Sequence, residues 1–91
     1  MRDAIAYRVP FTVDRSQPPA YTVWNESEET LHWVVARLIG SGMLDTPGPL
    51  CLPPGRGFQL LVVGAEPAQD CRVQLSWLRE DDEPYLWSFT F

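Results

Sequence analysis

Two alternating runs near the end of the chain limit its fold more than any other feature. Cys71, Val73, Leu75 and Trp77 interleave with Arg72, Gln74, Ser76 and Leu78, the period of two expected of a half-buried strand. Beyond the acidic run Glu80-Asp81-Asp82-Glu83 and Pro84 the period resumes, with Tyr85, Trp87, Phe89 and Phe91 on one face and Leu86, Ser88 and Thr90 on the other. Two such runs separated by a short polar segment predict an antiparallel hairpin.

The same period appears at the start, where Ile5, Tyr7, Val9, Phe11 and Val13 alternate with Ala6, Arg8, Pro10 and Thr12. Pro10 has no N–H to donate, so it requires a sheet edge or a strand break. Asp14 to Pro19 predicts a turn, and Ala20 to Trp24 a short strand with Tyr21 and Val23 inward. Residues 28–39 support two readings. Ser27 could cap a helix, Glu28 and Glu29 would suit its dipole, and Leu31, Val34, Val35 and Leu38 fall at helical spacing before Gly40. The β-branched and aromatic density of Thr30, Trp33, Val34, Val35 and Ile39 favours a strand, as does the β context on both sides.

Gly40-Ser41-Gly42 ends that element, and Asp45 to Pro49 reads as a loop before an edge strand at Leu50 to Leu52. Pro53-Pro54-Gly55 predicts a tight turn, Pro presetting φ and Gly accepting a positive one. Phe58 to Val63 is apolar on both faces apart from Gln59, which suits a central strand. The expected architecture is one all-β domain over residues 1–91, an antiparallel sandwich of about seven short strands.

Two of the connections resemble those of immunoglobulin-like modules of the major-sperm-protein and adhesion-repeat kind. They are Trp24-Asn25-Glu26-Ser27 ahead of one strand and Leu52-Pro53-Pro54-Gly55 ahead of Phe58 to Val63. The resemblance implies an immunoglobulin-like β-sandwich with a binding role, and no site residues come with it. Cys51 and Cys71 do not fall in the strands that carry the inter-sheet pair of antibody domains.

Charge narrows the partners. The net charge is -5 and all 7 cations are Arg, scattered from Arg2 to Arg79 without a basic run. Nucleic acid and anionic membranes reward clustered positive charge, so a protein partner with a basic or neutral surface is the expectation. No apolar stretch approaches the roughly 20 residues of a membrane-spanning helix. Without a secretory pattern at the N-terminus, the cytosol is the expected compartment, removal of an earlier signal segment being the alternative. Asn25-Glu26-Ser27 matches a glycosylation acceptor, but Asn25 reads as a turn residue.

Catalytic chemistry has few residues to work with. His32 is the sole histidine and reads as an ordinary strand residue, although Cys51 or Cys71 could meet it in space. Cys71 alternates in phase with Val73 and Leu75, as a small buried hydrophobe would. Three Cys and His residues, far apart in sequence, do not match a zinc pattern, and a Walker loop needs a Lys that the chain lacks. A non-enzymatic module without cofactor or metal is therefore expected.

Interaction residues are the remaining candidates. Glu80, Asp81, Asp82 and Glu83 form an acidic hairpin tip suited to an arginine-rich partner. Trp77 and Trp87 share the inward phase of their strands, whereas Trp24 takes the opposite phase to Tyr21 and Val23 and should be exposed. Leu78 and Leu86 are also on outward phases, so Trp24, Leu78 and Leu86 are the candidates for an exposed apolar patch. Edge strands offer a second route, strand addition or self-association into a homo-oligomer. The alternative is a carbohydrate- or lipid-binding sandwich with the Trp rings as its platform.

Overall fold

The computed structural model describes residues 8–64 and 71–90. Eight strands and no helix are present among them: β1 (Phe11–Gln17), β2 (Ala20–Asn25), β3 (Leu31–Ile39), β4 (Met43–Asp45), β5 (Leu50–Leu52), β6 (Gly57–Val63), β7 (Arg72–Leu78) and β8 (Pro84–Phe89). They form two antiparallel four-stranded sheets, ordered β1-β2-β6-β4 and β5-β3-β7-β8.

Alternation fixes which side of each strand meets the other sheet. Tyr21 and Val23 of β2, Phe58, Leu60 and Val62 of β6, and Val73, Leu75 and Trp77 of β7 are all buried in one core. Phe11, Leu31, Val34, Leu52 and Phe89 complete it. One flank is closed by rings. Phe11 meets the Trp77 ring edge-on at 4.9 Å and lies over Trp87 at 6.3 Å, while Trp77 stacks on Tyr85 at 5.9 Å. Such pairs add specific geometry to the large apolar area that each ring removes from water.

Several expectations need correction. The strand at residues 28–39 is present from Leu31 onward, so the helical reading is set aside. The first described strand runs from Phe11 to Gln17 rather than ending at Val13, and the turn shrinks to Pro18-Pro19, joined by a cis peptide bond. The displaced turn signal has a local cause. The β1–β2 register shifts between Asp14 and Gln17, and Asp14 Oδ1 accepts a hydrogen bond from the Ser16 amide at 2.9 Å. Hydrogen bonds from Ser16, side chain first and backbone second, hold the Asp14 carboxyl below its usual range.

The expected loop around Asp45 begins with β4, which brings the count from about seven to eight. Strand β6 lies inside its sheet between β2 and β4, but Gln59 and Val63 face solvent. Gly40, at φ 114°, ends β3 where a Cβ would stand 2.9 Å from the Cys71 Cα, so glycine is required there. Ile5, Tyr7 and Phe91 lie outside the described residues.

Asn25 is the largest departure from the sequence reading. It ends β2 with no exposed surface, where a turn residue was expected. Its Nδ2 donates to Glu29 O at 2.9 Å and to Leu52 O at 2.8 Å. Its Oδ1 accepts from the Ser27 amide at 2.9 Å and the Ser27 hydroxyl at 2.7 Å. The backbone is engaged as well, its N–H donating to Arg56 O and its C=O accepting from the Gly55 amide. A buried carboxamide is tolerated when every donor and acceptor is used, and here the full capacity of the side chain is met.

Replacing Asn25 with Ala would take the side-chain donor from the buried Leu52 carbonyl and the acceptor from the Ser27 amide, while the Ser27 hydroxyl still reaches the Glu29 carbonyl. The expected cost is about 3 kcal/mol of unfolding free energy, read as a lower urea midpoint with unchanged slope.

Candidate functional site

The site grows out of an irregularity in β3. Leu31 opposes Leu52 and Val34 opposes Leu50 on the β5 side, so two β3 residues face the single residue Cys51. On the other side His32 opposes Leu78 and Val35 opposes Ser76, again two residues against one. Trp33 is common to both mismatches and sits at φ 51°. A positive φ is rare for a large side chain, and it marks this residue as the extra one of a β-bulge. The bulge lets Leu31 and Val34 both point inward and leaves the Trp33 side chain outside, 65% exposed.

Trp33 does not stand alone. Leu86 on β8 is 67% exposed, and Leu78 on β7 is half-buried beside it. Together with Ser76, Trp77, Pro84 and Tyr85 they line a surface groove of about 290 Å³ on the outer face of the β5-β3-β7-β8 sheet. Bulges and backbone strain concentrate at functional sites because a fold retains them only where the rest of the structure enforces them.

The β7–β8 turn bounds this groove. The Asp82 amide donates to Arg79 O at 2.8 Å and the Arg79 amide to Glu83 O at 3.1 Å, with Asp82 at φ 62°. Glu80, Asp81 and Asp82 are exposed, whereas Glu83 is half-buried and accepts the Tyr85 hydroxyl at 2.7 Å. Asp81 Oδ1 accepts from the Glu83 amide.

Arg79, at the base of the turn, is held by Glu29 and also reaches the Tyr85 hydroxyl at 3.4 Å. Glu29 holds it in a two-point pair, Nε to Oε1 at 3.0 Å and Nη2 to Oε2 at 2.9 Å. A guanidinium matched to a carboxylate in this way is largely spent on it. The turn presents the exposed Glu80, Asp81 and Asp82 beside the groove.

The expected patch is thus divided. Leu78 and Leu86 come together as anticipated, but Trp24 belongs to the opposite sheet, 40% exposed on β2. Trp24 opposes Gly57, and a Cβ at Gly57 would fall 2.6 Å from the Trp24 ring. The indole lies on that bare stretch of β6, which accounts for its position structurally. Met43 and Val63, the other exposed apolar pair of that sheet, adjoin the far end of β6. Trp33, placed by the sequence in the strand without an assigned face, takes the position beside Leu78 and Leu86.

A larger cleft of about 530 Å³ lies around the Glu29–Arg79 pair, between the Arg8–Thr12 segment and Glu26-Ser27. Its charged centre is already paired, and one wall ends at Arg8, where the described residues begin. Cys51 does meet His32, with Sγ 3.9 Å from Nδ1 on the exposed side of β5. No carboxylate orients that imidazole among the described residues, and no cluster of metal-ligating side chains occurs among them. Among the described residues no helix is long and apolar enough to cross a membrane.

Comparison with protein-family models, curated proteins and solved structures returned no match to this chain.

Two outcomes follow from this geometry. Trp33→Gly should change stability by no more than about 1 kcal/mol, because relief of the positive φ offsets the entropy of glycine, whereas Trp77→Ala should cost about 4 kcal/mol; urea melts of both variants read the contrast. A thiol reagent should label Cys51 rapidly in the native protein and reach the buried Cys71 only on unfolding, as mass spectrometry of the labelled peptides would report.

Proposed function

We propose that the chain is a non-catalytic protein-interaction module whose contact surface is the outer face of the β5-β3-β7-β8 sheet at its hairpin end. The observation that carries this reading is the convergence of Trp33, Leu78 and Leu86, from three strands, on one groove next to the Glu80 to Glu83 turn. Interface centres favour large rings in apolar surroundings with a polar rim, and this face has both.

The fold reading that goes with it is an immunoglobulin-like sandwich. Strands β1, β2, β6 and β4 facing β3, β7 and β8 correspond to the seven-stranded constant-type pattern. Strand β5 is then an addition, inserted after β4 and paired to β3 on the opposite sheet.

The rival reading, a carbohydrate- or lipid-binding sandwich built on exposed Trp rings, has less support. Trp24 and Trp33 stand on different sheets and cannot form one platform. Stacking on sugar would rest on a single exposed ring on either sheet.

Affinity capture should separate these readings. Proteins retained by the wild-type chain and by a Gln59→Asp control on the opposite sheet should drop about tenfold or more with Leu86→Asp and with Trp33→Gly. Equal retention by all four proteins would remove this face as the interface, and Trp emission that responds to polysaccharide would shift support to the rival.

A further inference from the structure

We infer that the groove receives one large apolar side chain from an extended partner segment that also carries Arg or Lys two to three residues away. The inference rests on the interaction-module reading and adds the chemistry of the partner. At about 290 Å³ the groove lies at the small end of ligand sites, enough for a single side chain and too little for a whole cofactor.

Charge selects among occupants. The groove ends at Pro84 and Leu78, and the exposed Glu80 and Asp82 stand on the turn that joins them. A second copy of the chain, itself at net charge -5, would bring a like-charged turn to the same place. Anionic lipid and nucleic acid meet the same repulsion. A cationic peptide segment gains from the field that the others oppose.

Reach supplies the spacing. Asp82 precedes Pro84 by two residues, and an extended chain advances about 3.3 Å per residue. A side chain anchored between Trp33, Leu78 and Leu86 therefore places the residue two or three positions along its own strand over the turn. The Glu29–Arg79 pair fits this arrangement, because Nε and Nη2 of that guanidinium are directed at Glu29.

Panning the full chain against a random nine-residue peptide library tests the inference. Enriched peptides should share a large apolar residue with Arg or Lys two or three positions away. Their affinity should fall at least about tenfold with Leu86→Asp, and by a similar factor with the pair Glu80→Gln and Asp82→Asn. Raising salt should weaken the second contribution and spare the first. Circular dichroism checks that the variants, all at exposed positions, remain folded, and Trp33→Gly serves as an independent groove variant.

Peptides that need Leu86 but lack a basic residue and ignore the double neutralisation would overturn the cationic partner and leave the interaction face standing. Peptides indifferent to Leu86 and Trp33 would overturn both the inference and the face. Absence of any enriched peptide would overturn the inference, since a linear segment could not then be the occupant; the capture comparison would still decide the broader reading.

Discussion

The hairpin end of the molecule is organised around one carboxamide that is buried with none of its hydrogen-bonding capacity unused. Asn25 belongs to the β1-β2-β6-β4 sheet, yet its side chain bonds to Leu52 at the end of β5 and to Glu29 ahead of β3. Both of those strands belong to the other sheet. Leu52 in turn opposes Leu31, three residues before the next paired position on β3. The amide therefore fixes where β3 enters its sheet, and with it the start of the bulge. Glu29, held through its carbonyl, is in place to grip Arg79 at the exit of β7. Trp33 and Leu78, two walls of the groove, are thus supported from a single point in the core.

The bulge follows from what must be buried on either side of it. Leu31 and Val34 both belong to the core, and Ala36 and Leu38 pack against it after them. A regular strand would turn Val34 and every second residue after it outward, exposing one apolar set to bury another. Admitting Trp33 as an extra residue keeps both sets inside at the expense of one strained φ. That compromise leaves an indole in solvent, beside the groove proposed as the contact surface.

Where side chains alternate without interruption, the sequence was readable. The inward set of β7, the outward phase of Leu78 and Leu86, the inward Tyr21 and Val23 and the turn at Pro53-Pro54-Gly55 all follow from period and turn chemistry. Trouble arose where one residue interrupts the period. Leu31 and Val34 are three apart, a spacing that imitates a helix, because the bulge places both on one face. Ser27 imitates a helix cap for a related reason. It receives the Glu29 amide at 3.3 Å, the local bond a cap would make, but the chain then enters a strand. Trp24 points outward as its phase implies but on the other sheet from Leu78 and Leu86, since phase within a strand says nothing about which sheet that strand joins. Asn25 carried a polar, turn-like signal, and only the return of Leu52 from a distance of 27 residues makes its burial possible.

Hydrogen exchange at the clamp tests this account most directly. If Asn25 joins the two sheets as described, its carboxamide protons and the amides of Ser27 and Gly55 should exchange as slowly as the core amides of β7, opening only with global unfolding. Exchange of these groups at the rate of exposed loop amides, with β7 still protected, would contradict it. The entry to β3, the bulge and the groove would then lack the support from which the interaction face is derived.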